Sequence, residues 1–89
     1  MFYVYLLNSG NSFYLGYTDD LKRRLKEHNS GQNISTNKLR DWSVVFYEAH
    51  TLKSDALRRE KYLKTTQGKQ ALRRMLRDYY AESDKYFDY

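Results

Sequence analysis

Three polar side chains stand where the spacing of this 89-residue chain asks for apolar ones. In Leu21-Lys22-Arg23-Arg24-Leu25-Lys26-Glu27-His28, the residues Leu21, Leu25 and His28 fall at i, i+4 and i+7 and share one helical face. Arg24 flanks that face, because i and i+3 are neighbours on a helix, while Lys22, Arg23, Lys26 and Glu27 point elsewhere. Further on, Ala56, Leu57 and Leu63 define a second inner stripe, and Glu60 falls in its middle. An arginine, a histidine and a glutamate turned inward must be paired or sit in a cleft, since an unpaired buried charge is costly. Beside a strand tyrosine they would make a phosphoryl-transfer set. A carboxylate such as Glu60 can hold Mg²⁺, which takes only one or two protein carboxylates and otherwise keeps water or phosphate oxygens. Arg24 can stabilise charge developing on a phosphate. A tyrosine near cations loses its proton more easily and can accept one from water. Whether these residues converge is for the fold to decide.

Each residue also has a plainer role. A strand tyrosine is most often a packing residue. A lone helical histidine is more often a structural hydrogen-bonder than a catalyst. An arginine at the edge of an apolar stripe can snorkel. Glu60 could pair with Arg24 in a structural salt bridge. Gly16 could mark only a tight backbone contact. The conjunction carries more than any one of them. There is no cysteine and no Ser-His-Asp pattern to support a covalent mechanism, and four scattered glycines make no nucleotide-binding loop, so no small-molecule cofactor is expected.

The elements that must position these residues follow from local pattern. Phe2 to Leu7 and Phe13 to Tyr17 are aromatic and β-branched, and the turn cluster Asn8-Ser9-Gly10-Asn11-Ser12 joins them into an antiparallel hairpin. Both strands are almost continuously apolar, which suits central strands covered on both faces. Thr18 or Asp19 is expected to cap the first helix, which stops near Asn29-Ser30-Gly31. Residues 32–41 read as a polar loop or a short helical turn, and Trp42 to Ala49 as a third strand. Ser54 is expected to cap a second helix running to about Lys64, and Gln67 to Tyr80 reads as a third. The order ββαβαα predicts an α+β fold, a small three-stranded antiparallel sheet flanked by helices. One domain over residues 1–77 is expected, followed by an acidic, tyrosine-rich tail over 78–89.

Such a chain buries roughly 60–65% of its unfolded surface, so its core is modest. The opening Met1 to Leu7 is too short and lacks the basic flank of a signal peptide or membrane span, so no membrane partner is expected. Absence of cysteine suits a reducing cytoplasm. Residues 1–18 carry no charge, residues 19–77 a net of +8, and residues 78–89 a net of −3. A basic body points to a polyanion, with nucleic acid first, against the plain alternative of a solvated Lys/Arg-rich surface.

Tyr3-Val4-Tyr5, then Tyr14-Leu15-Gly16, then Arg24 ten residues after Tyr14, then His28 and Glu60, together resemble the GIY-YIG endonuclease family. The resemblance covers residues 1 to about 66 and is nearest to its small stand-alone bacterial members. The first motif lacks the family's Gly-Ile but keeps its last tyrosine as Tyr5, and Leu15 replaces isoleucine. The asparagine that some members carry after the glutamate helix has no clear counterpart. The resemblance implies a divalent-metal-dependent endonuclease that hydrolyses DNA phosphodiester bonds, in repair or recombination, with one Mg²⁺ or Mn²⁺ ion. It implies Tyr5 as base for water, Tyr14 lining the site, Arg24 on the phosphate, His28 assisting Tyr5 and Glu60 on the metal. Gly16 keeps room for substrate or for motif packing, and Arg23, Lys26, Lys38, Arg40 and Lys64 are expected to contact DNA. Two other readings use the same chain: a non-catalytic nucleic-acid-binding module that needs only surface charge, and a protein-interaction module that uses the tyrosine-rich tail.

Overall fold

Three strands and four helices make up the computed structural model, which describes residues 1–31 and 41–83. The order along the chain is β1 (Phe2–Ser9), β2 (Ser12–Thr18), α1 (Leu21–Asn29), β3 (Ser43–His50), α2 (Lys53–Leu63), α3 (Thr66–Met75) and α4 (Arg77–Ser83). The strands form one antiparallel sheet, as the hairpin and the ββαβαα pattern predicted; its order is β2-β1-β3, so of the two apolar hairpin strands only β1 is central and β2 is an edge. The fold is α+β.

β1 lies in the middle, and its unbroken apolar run follows from that position. Successive strand residues point to opposite faces. Val4 and Leu6 enter a cluster with Phe13, Leu15, Ala56, Leu63 and Leu72. Tyr5 and Leu7 enter a second one with Trp42, against which Leu21, Leu25, Tyr14 and Val44 pack. Helix α1 therefore covers one face of β1, and α2 and α3 cover the other. Each fully buried leucine here contributes ~1.5–3 kcal/mol by leaving water. On β3, Phe46 pairs with Leu6 and Val44 with Leu7, so Val45 is an extra residue. This bulge sends Val45 and Phe46 to the Val4 side and Val44 to the Tyr5 side.

Element ends differ from the sequence expectation in three places. Asp20, not Thr18 or Asp19, caps α1: its carboxylate accepts from the Arg23 N–H at 3.1 Å. Thr18 is still part of β2, and its hydroxyl accepts from the Asp20 N–H at 3.1 Å. Helix α2 starts off Leu52, which makes no side-chain cap, and Ser54 lies inside the first turn. The expected single helix over Gln67 to Tyr80 is two. Leu76 leaves helical geometry (φ −108°, ψ 26°), and α4 begins at Arg77. The bend keeps Leu76, Tyr79 and Tyr80 on the core that Leu72 enters, with the Tyr80 ring 6.1 Å from Phe13. No glycine or proline marks it in the sequence.

Candidate active site

The Tyr5 hydroxyl is the centre of the site. Tyr5 on β1 stands opposite Gly16 on β2. A Cβ on Gly16 would lie 2.5 Å from the Tyr5 hydroxyl and 2.8 Å from the Tyr14 ring. Glycine at this position is thus required by the Tyr5 phenol. That phenol lies 3.0 Å from Nε2 of His28 and accepts from Nε of Arg24 at 3.3 Å. Both partners come from α1, one turn apart, as the inner-stripe spacing requires. Tyr5 and His28 are fully buried, and Arg24 is half-buried.

The aromatic walls fix the imidazole. The Tyr14 ring sits 4.6 Å from His28, and Trp42 lies 6.2 Å from it on another side. Asn29 holds Trp42 in place with a two-way clamp on its backbone: Nδ2 donates to the Trp42 carbonyl at 3.0 Å, and the Trp42 N–H donates to Oδ1 at 2.6 Å.

Burial sets the protonation states. Desolvation pushes the Tyr5 phenol up to about 12, outweighing the hydrogen bond from Arg24 that pulls it down, with Tyr14 and Glu60 adding to the rise. Arg24 does favour the phenolate as expected, but the expectation of an easily lost Tyr5 proton is corrected, because burial outweighs the cation. Desolvation, helped by the Arg24 charge, pushes His28 down to about 4. His28 is neutral at physiological pH. The Tyr5 oxygen accepts from Arg24 and shares a second hydrogen bond with Nε2, in which Tyr5 is the donor when neutral His28 carries its proton on Nδ1.

Glu60 on α2 lies close enough to act on Tyr5 through its charge. It pairs with Lys64 at 3.1 Å. Arg24 instead pairs with Glu27 at 3.0 Å, so the Glu60–Arg24 bridge is not formed and Glu27 does not point away. Among the described residues no three His, Cys, Asp or Glu side chains cluster. A single half-buried carboxylate fits a hard cation that keeps water and phosphate oxygens, and does not fit a soft metal.

Of the residues singled out in the sequence, Tyr5, Tyr14, Gly16, Arg24 and His28 are in mutual contact, with Glu60 within electrostatic reach. Arg23 joins Arg24 in lining a concavity of about 280 Å³. Lys26 lines a different one on the outside of α1, and Lys64 is taken up by Glu60. Lys38 and Arg40 lie outside the described residues. The sequence reading missed Glu27, Asn29, Trp42 and Lys53, the last of which lines the Arg24 concavity. The i, i+3 spacing of Arg24 and Glu27 was the available signal for the first.

Comparison with known proteins agrees with this arrangement. Residues 1–75 match the model of the GIY-YIG catalytic domain, so the chain belongs to the GIY-YIG family. It is similar to a UPF0213 protein of Staphylococcus haemolyticus, 38% identical over 73 residues, which are 80% of this chain and 89% of the relative. A UPF0213 protein of Bacillus subtilis is 40% identical over 55 residues, 61% of this chain and 56% of that protein. No solved structure matches it. Membership suggests a nuclease acting on nucleic acid. No described helix is long and apolar enough to cross a membrane.

Proposed function

We propose that this protein is a divalent-metal-dependent endonuclease that hydrolyses DNA phosphodiester bonds. The observation that carries the reading is the Tyr5 hydroxyl held between Arg24 and His28, within reach of the Glu60 charge. Binding alone would need surface charge and would give no use to a buried phenol–imidazole pair.

In this reading Tyr5 takes a proton from the attacking water as its own passes to Nε2 of His28. The water oxygen bonds to phosphorus, and the bond from phosphorus to the leaving oxygen breaks, that oxygen keeping the electron pair and taking a proton from solvent water. Arg24 grips the phosphate and offsets its growing charge. Glu60 would hold a single Mg²⁺ or Mn²⁺, which when bound withdraws charge from the phosphate and offsets the carboxylate that now raises the Tyr5 pKa. Arg24 donates to both the Tyr5 hydroxyl and Glu27, so a phosphate that draws the guanidinium away would free that hydroxyl lone pair and remove the smaller of the two influences, after burial, that hold the His28 pKa down.

The test is cleavage of fluorescent duplex, nicked and single-stranded DNA with Mg²⁺ or Mn²⁺ and with chelator. Metal-dependent cutting of at least one form is expected. Binding without cutting across all forms would leave the binding module as the better account.

A further inference from the structure

The described residues carry thirteen basic and nine acidic side chains, and the surplus is not spread evenly. Residues 66–77, which are α3, the Leu76 corner and the first residue of α4, hold Lys69, Arg73, Arg74 and Arg77 and no acid. In the rest of the described chain, nine bases face nine acids. Many of those are paired: Asp19 with Arg23, Glu27 with Arg24, Glu48 with Arg59, Asp55 with Arg58, and Glu60 with Lys64. The described surplus therefore sits on α3 and the first residue of α4.

Arg74 and Arg77 are exposed, and with Gln70 and Arg73 they line a concavity of about 380 Å³. The concavities lined by Asp20, by Asp55, and by Asp19 with Glu27 mix both signs. Asp78 approaches Arg77 only to 3.8 Å, with both side chains almost wholly in water, where such a pair contributes little. Beneath the arginines the backbone is well anchored. Leu72 is fully buried, and Gly68 lies so close to α2 that a Cβ would stand 2.6 Å from the Leu63 Cα. Leu72 belongs to the Val4 face of the sheet, while Tyr5 belongs to the opposite one. The basic helix is thus separate from the catalytic cluster.

A solvated face would interleave acids with its cations, as α1 and α2 do. Planar guanidinium groups on a rigid helix suit phosphate oxygens. We propose that the outer face of α3 is a second nucleic-acid surface, which grips the phosphate backbone of duplex DNA away from the cleaved bond. It rests on the nuclease reading only for the choice of DNA as the polyanion.

The test is a fluorescence-anisotropy titration of a labelled duplex at several salt concentrations, with every protein carrying Glu60→Gln to prevent cutting. Arg74→Gln/Arg77→Gln should weaken binding roughly tenfold and flatten the salt slope by about 1.8, the loss of two phosphate contacts. Lys22→Gln/Lys61→Gln removes the same charge from α1 and α2 and should change both quantities less. Equal losses in the two variants would show a diffuse field and overturn the proposal, as would unchanged binding. The outcome does not depend on cleavage: a wild type that cuts nothing sinks the nuclease reading, and α3 is still judged by the titration.

Discussion

Gly16 determines where the Tyr5 hydroxyl can sit, because the phenol fills the space a Cβ would need. Gly16→Ala should destabilise the protein by about 1–3 kcal/mol, the scale of an overpacked site, and displace the phenol from His28. A melting curve unchanged from wild type would show that the ring yields freely. His28 gives a pH signature. Its folded pKa is depressed, so between about 6.5 and about 4 the unfolded chain binds a proton that the fold refuses. The stability from neutral His28 is present above that window and lost as pH falls through it, by up to about 3 kcal/mol. Urea titrations across that range should fall more steeply for wild type than for His28→Asn. Parallel curves would mean that His28 accepts the proton without cost. Glu60→Gln should lower metal affinity while leaving the metal-free melting point nearly unchanged, because its partner Lys64 is exposed and loses only a solvent-screened pair. A large loss of stability would instead make Glu60 a structural residue.

At the scale of elements, period and turn chemistry located the three strands and the helices α1, α2 and α3, since β1 sends its apolar side chains to both covered faces of the sheet and α1 carries its apolar stripe inward. They failed where tertiary packing overrides local preference. The break at Leu76 has no glycine or proline to announce it and exists because Tyr79 and Tyr80 pack on the core. Leu52 starts α2 without a capping side chain, so Ser54 misled. The α2–α3 corner depends on Gly68, whose position against Tyr62 and Leu63 admits no side chain. Gly68→Ala should therefore lower stability by about 1–3 kcal/mol, although alanine is the better helix former by ~1 kcal/mol in an open helix. A more stable Gly68→Ala protein, read by denaturant titration, would show that α3 can move away from α2 at no cost.

Across the whole molecule, the sheet separates the two proposed sites. One face carries Tyr5, His28 and Arg24, and the other carries α3 with its surplus of positive charge. Spacing put Arg24 and His28 on one helical face, but their convergence on Tyr5 came only with the fold, because nothing local says which strand face that helix meets. The Arg24–Glu27 pair had its i, i+3 spacing as a signal, whereas the Asn29 clamp on Trp42 had none, because it joins residues thirteen apart in the chain. The central claim is that the Tyr5 hydroxyl moves the proton in phosphodiester cleavage. Single-turnover cleavage by Tyr5→Phe, with metal, tests it most directly, beside a melting curve and a DNA titration on the same sample. The phenyl ring keeps the packing and removes one oxygen, so the variant should fold and bind DNA but cut roughly 10²-fold or more slowly, the scale of a lost proton-transfer group. Cleavage at the wild-type rate would contradict the account and leave Tyr5 a packing residue.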